Sequence, residues 1–148
     1  MGGHPWLYLV PYQEDINKAL QDLRLREFAA GRYSPVLPFL EFPIGDWSPA
    51  PGPQHASIKD ALEAAMEDGT KSILDMESVS AEPKPSAVSP LDFKDLIVLF
   101  GTDRPTHEMI EDSDMDFFEH IGRGQGIYIV IYRGGKPIEI AFAGYSFD

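Results

Sequence analysis

The chain has 148 residues, 43% hydrophobic and 11% aromatic, about one domain's length and able to bury roughly 70% of the surface its unfolded form exposes. With 24 acidic residues against 12 basic ones, a formal charge of -12 and no cysteine, it has no means to form disulfides, thiolate metal sites or cysteine nucleophiles, and it lacks the basic stripe of a nucleic-acid surface. No apolar run reaches the roughly 20 residues of a membrane helix and the first residues have no signal-peptide pattern, so the expectation is a soluble, cytoplasmic chain with no membrane or nucleic-acid partner.

In chain order, residues 6–10 (Trp-Leu-Tyr-Leu-Val) form an apolar run closed by Pro11, the pattern of a strand covered on both faces and therefore of a central strand. Over 15–28, Ile16, Ala19, Leu20 and Leu23 recur at helical spacing among Lys18, Gln21, Asp22, Arg24 and Arg26, which predicts an amphipathic helix stopped near Gly31. Residues 34–54 hold six prolines interleaved with Phe39, Phe42 and Trp47, a density that forbids a regular helix or central strand and leaves a long loop. Its aromatics either close over the sheet as a lid or stand out as anchors for a partner.

Ser57 with Asp60 three residues on is a helix start; Ile58, Ala61, Leu62 and Ala65 form its apolar face and Gly69 its stop. Residues 72–79 set Leu74 and Met76 against Asp75 and Glu77, as a strand does. Ser89, Pro90 and Asp92 read as another helix start, with Phe93, Leu96, Ile97 and Phe100 expected to be buried and Gly101 to end the helix. Residues 127–132 and 138–142 are joined through Arg133, Gly134, Gly135 and Lys136, the form of a tight hairpin. Placing Arg133 opposite Lys136 sets Ile131 against Ile138, Ile129 against Ile140 and Ile127 against Phe142 on one apolar face. Tyr128, Val130 and Tyr132 then share a second face that meets solvent or a partner. The whole, residues 1–148, reads as a single layered α+β domain. Its expected frame is a mixed or antiparallel sheet of about four strands with a C-terminal β-hairpin, packed by three or four helices.

Six of the twelve residues over 108–119 are acidic and none is basic. Ser113 is placed to cap a short helix reaching Ile121, with Asp114 and Asp116 in its first turn where the helix dipole favours anions. Glu108, Glu111, Asp112 and Glu119 are left over, as a solvated face or a recognition surface for a basic protein. Together with Trp47 and Phe42 of the loop they form the candidate partner-binding set. Asp112, Asp114 and Asp116 have the alternate spacing of a calcium loop, but Phe117 and Arg123 stand where that motif needs Gly and Glu. His4, His55, His107 and His120 read as ordinary surface histidines, and residues 122–126 as a helix stop and turn rather than a phosphate cradle. No G-x-S-x-G elbow occurs, so no catalytic residue, metal or cofactor is assigned. Two functions are expected from these features. One is a non-catalytic binding or regulatory module, inhibitor-like or immunity-like by analogy. The other is an enzyme or small-molecule binder with its pocket between the sheet and loop 34–54, using His55 or His107.

Overall fold

The computed structural model describes all residues except 1–2, 38–43, 46, 114 and 148. Five strands, β1 (Pro5–Pro11), β2 (Ser78–Val79), β3 (Ala87–Pro90), β4 (Gly126–Arg133) and β5 (Lys136–Tyr145), make one sheet in the order β1-β5-β4-β3-β2. The β1-β5-β4 part is antiparallel and the β4-β3-β2 part parallel, so the sheet is mixed. The helices are α1 (Ile16–Ala30), α2 (Ile58–Ala65), α3 (Phe93–Phe100) and α4 (His107–Asp112), with 3-10 turns at Met66–Asp68, Ile73–Asp75 and Asp116–His120. The architecture is α+β, with one strand more than the four expected. Among the described residues no helix is long and apolar enough to cross a membrane.

Strand alternation sends side chains to two cores, one on each side of the sheet. On one side Trp6, Tyr8, Val10, Ile140 and Phe142 pack on Ala19, Leu20 and Leu23 of α1. On the other, Leu7, Ile127, Ile129, Ile131 and Ala141 pack on Ile110, Phe117, Phe118 and the inner edge of α3. Helix α1 starts where Asp15 accepts a hydrogen bond from the Lys18 amide (3.1 Å) and ends at Gly31 in the left-handed conformation (φ 74°). A Cβ there would meet the Gly52 carbonyl oxygen at 2.2 Å, so this close approach requires glycine as much as the turn does.

Several expectations are corrected. Residues 6–10 do form a strand buried on both faces, yet β1 is an edge strand. Periodicity registers what covers a strand's faces and not how many strands flank it. Part of the open edge is taken by the proline loop, where the Ile44 amide donates to the Leu7 carbonyl (3.3 Å). Residues 72–79 are not one strand: Ile73–Asp75 is a 3-10 turn and only Ser78–Val79 pairs. The turn is held by the buried Asp75 carboxylate, which accepts from the Thr70 amide (2.7 Å), the Thr70 hydroxyl (2.8 Å) and the Lys71 amide (3.2 Å). Burial pushes that carboxyl upward in pKa, against these hydrogen bonds.

Ser89 and Pro90 do not start a helix. They end β3, paired in parallel with Ile127 and Tyr128 of β4, and α3 begins after Asp92 with no side-chain cap. Pro90 suits a strand end, where its missing N–H costs little. The hairpin turn forms as expected, with Arg133 opposite Lys136, but a bulge between Ile131 and Tyr132 shifts the rest by one residue. Ile131 faces Glu139, Ile129 faces Ala141 and Tyr128 faces Phe142. Such a slip exchanges the faces, so Ile140 and Phe142 join the α1 core while the β4 isoleucines join the other. Tyr128, half-buried, packs against the α1 core. The bulge follows Pro137, which has no N–H for the ladder, and the Ile138 carbonyl instead accepts from the Tyr12 amide (3.0 Å). Ser113 closes α4 in place of capping the next helix: its hydroxyl donates to the Ile110 carbonyl (2.7 Å) and accepts from the Met115 amide (3.3 Å). Asp116 does lie in the first turn of the 3-10 segment that follows, while Asp114 falls outside the described residues.

Candidate functional site

The acidic run resolves into charges with different surroundings. Thr106 caps α4 by accepting from the Met109 amide (3.3 Å), which places Glu108 in the first turn, where the helix dipole favours it. Glu111 is tied to His107, whose Nε2–H donates to it at 2.6 Å, while Nδ1–H donates to Glu139 of β5 at 2.9 Å. Only the doubly protonated ring donates to both carboxylates at once. His107 is accordingly raised in pKa, chiefly by the Glu139 hydrogen bond, which desolvation opposes and the Glu111 hydrogen bond reinforces. Asp112 closes α4 as an exposed acid at the C-terminal end of the dipole, where a negative charge is disfavoured. Glu119 is exposed on the 3-10 segment. The four acids therefore divide: Glu108 and Glu111 serve local structure, and Asp112 and Glu119 keep charge that no local contact explains.

A cleft of about 540 Å³ lies between α4 and the hairpin tip, lined by His107, Glu108, Tyr132, Arg133, Ile138 and Glu139 among others. Glu139 is the residue that sequence spacing missed. It is 32 positions from His107, and only the bulged register of β5 brings it to the helix.

The larger surprise is α3. Phe93, Leu96, Ile97 and Phe100 were expected to be buried, but no residue of this helix is; Leu96, Leu99 and Phe100 are half-buried, while Phe93 is 59%, Ile97 40% and Val98 81% exposed. Lys94 and Asp95 give the segment one polar side, and its pattern turns Phe93 and Ile97 inward with Leu96 and Phe100, whereas the structure covers only the edge formed by Leu96, Leu99 and Phe100. Three of the seven exposed large hydrophobics among the described residues sit on this one helix, on the same side of the sheet as α4.

In loop 34–54, Ile44 is buried and covers the sheet edge, whereas Trp47 is 71% exposed. Phe42 and Phe39 fall outside the described residues. His55 is bound to the loop's base by a hydrogen bond between its Nδ1 and the Tyr33 hydroxyl (2.8 Å).

Beside α3, a cleft of about 530 Å³ gathers Ser89, Asp95 and His120. His120 Nδ1 is 3.5 Å from Asp95, but Ser89 Oγ is buried with no hydrogen-bond partner. The three types of a nucleophile relay are neighbours here without the serine-to-base hydrogen bond the relay needs. Among the described residues no group of three or more His, Asp or Glu side chains is placed to hold a metal ion.

Comparison with protein-family models, with curated proteins and with solved structures returned no match to this chain.

Proposed function

We propose that this protein is a non-catalytic binding module that covers a surface of another protein with the outward face of α3, while the acidic charge beside it steers a partner with a basic rim. The observation that carries this reading is the exposure of Phe93, Ile97 and Val98 on one eight-residue helix. Burying them against a partner removes apolar surface from water at about 25 cal/mol per Å², and i, i+4 anchors on a helix suit a hydrophobic groove. The charge of -12 and the exposed Asp112 and Glu119 raise the encounter rate with a basic surface. Trp47 is a further exposed anchor, and Phe42 is assigned beside it on sequence alone. A cytoplasmic setting and an inhibitor-like or immunity-like role belong to the same proposal, by analogy. The alternative is an enzyme or small-molecule binder with its pocket between the sheet and loop 34–54; the clefts at the hairpin tip and beside α3 do not support it, since their described walls come from other segments.

The test is parallel capture from the source cells with the wild-type chain, Phe93→Ser and Asp112→Lys, at low and high salt. One protein is expected to be retained by the wild type, to fall at least roughly tenfold with Phe93→Ser, and to be released as salt screens the steering charges. A partner retained equally by Phe93→Ser, or one indifferent to salt, removes this reading.

A further inference from the structure

The cleft of about 530 Å³ beside α3 adjoins the face that the partner covers, and Phe93, 59% exposed, belongs to both. Its charged walls are almost all of one sign. Glu82, Asp92 and Asp95 line it, whereas Lys84 and Lys94, their neighbours in sequence, do not. His120, 3.5 Å from Asp95, is the one basic side chain among the described residues that line it. Glu82 and Asp92 are exposed, and among the described residues neither carboxylate has a hydrogen-bond or ion-pair partner. Asp92 does not spend its side chain on capping α3.

Beneath these carboxylates the floor is apolar with one exception. Leu91 and Ile127 belong to the core on this side of the sheet. Val88 packs in the core on the other side, so strand alternation turns Ser89 toward α3, beside its register partner Ile127, which also lines the cleft. Ser89 is 0% exposed and its hydroxyl has no hydrogen-bond partner, an uncommon state for a buried polar group. The groups placed to receive a ligand are those nearer solvent: the Asp95 side chain is 34% exposed, and Asp92 and Glu82 are exposed. The first turn of α3 adds roughly half a positive charge here, which the two full charges of Asp92 and Asp95 outweigh.

We propose, on the reading of α3 given above, that this cleft seats an arginine side chain of the basic partner, its guanidinium on Asp92 and Asp95 and its methylenes along Pro90 and Phe93. The two carboxylates stand three residues apart across the first turn of α3, and a planar fork of five N–H donors bridges such a pair better than the point charge of a lysine does. The exposed Phe93 ring offers its face to the same guanidinium. A net charge of -12 disfavours a second copy of this chain as the source of that arginine.

The probe is N-acetyl-arginine methylamide, titrated into the full chain at low salt and followed by NMR at the Leu91, Phe93 and Ile127 amides and the His120 ring. Saturable shifts centred on these positions are expected, with the neutral citrulline counterpart at least about tenfold weaker and the lysine counterpart weaker than arginine. Asp92→Asn combined with Asp95→Asn keeps side-chain shape and should weaken the arginine probe at least about tenfold. Asp112→Asn combined with Glu119→Gln removes the same charge outside the cleft and should change binding by less than about twofold. The proposal is overturned if the arginine probe gives no saturable shift in the cleft. It is overturned too if the citrulline or lysine probe binds as tightly, or if the Asp92 and Asp95 substitutions leave binding unchanged. A failed titration with a partner still captured through Phe93 removes the arginine seat alone. A successful titration with no partner captured removes the reading of α3, and with it the partner's arginine as occupant.

Discussion

Helices α1 and α3 lie on opposite sides of one sheet and contradict the simplest rule about hydrophobic content. Helix α1 is the more polar sequence, yet it buries Ala19, Leu20 and Leu23 and even the charged Arg24 and Glu27. Helix α3 is apolar almost throughout and buries nothing completely. Composition sets how much a helix gains from burial, while the layers around it set whether burial is available. On the α1 side the edge strand, the loop base and the turn at Ile73–Asp75 close around the helix. On the α3 side only one edge of the helix meets the sheet.

The contrast is sharpest at Glu27. It is fully buried, and Arg32 grips both its carboxylate oxygens at 2.9 Å, with Arg26 at the same distance on one of them. Glu27→Ala removes the carboxylate that Arg32 and Arg26 share in the buried site and should cost about 3–5 kcal/mol in urea unfolding. Leu20→Ala, in the same helix, should cost about 2–5 kcal/mol by the same measurement, as a core truncation does. Val98→Ser on α3 should shift stability by no more than about 0.5 kcal/mol; a loss as large as that of Leu20→Ala would show that α3 is covered after all.

Smaller effects separate the acids of α4 by sign. Glu108→Lys puts a cation at a helix N-terminus and should destabilise by about 0.3–1 kcal/mol, whereas Asp112→Lys at the other end should be neutral or stabilising by a similar amount. If both weaken the fold equally, the division of the acidic run between dipole-favoured and dipole-opposed charges is wrong. The smallest effect is at His107. Because its folded pKa is raised, its contribution is fully present below about 6.5, the unfolded value, and fades as pH rises through the raised folded value. Solvent screening limits this to less than about 1 kcal/mol. An NMR titration should place the His107 midpoint above 6.5 and show it falling back in Glu139→Gln; an unmoved midpoint would mean that Glu139 does not hold the ring.

These comparisons also mark where sequence reasoning succeeds. It located α1 and its Gly31 stop, the Ser57 cap of α2, the Gly101 stop of α3 and the Gly134-Gly135 hairpin turn, all set by contacts within a few residues. It failed at Ser89 and Pro90, where a local capping pattern lost to pairing with β4, and at Asp75, whose apparent alternation hid a hydrogen-bonded turn. Around α4 it singled out the acids, read His107 as an ordinary surface histidine and did not reach Glu139, and Arg24 stood only as a polar helix position.

The sequence by itself determined the α+β class, several element starts and stops, the C-terminal hairpin and the excess of negative charge, because caps, glycine turns and net charge are local or additive properties. Only the tertiary structure decided the edge position of β1, the one-residue bulge that brings Glu139 to His107, the exposure of α3 and the burial of Arg24. Each of these depends on which distant segment arrives at a given face, and free energies of burial and pairing belong to that meeting and not to either segment alone.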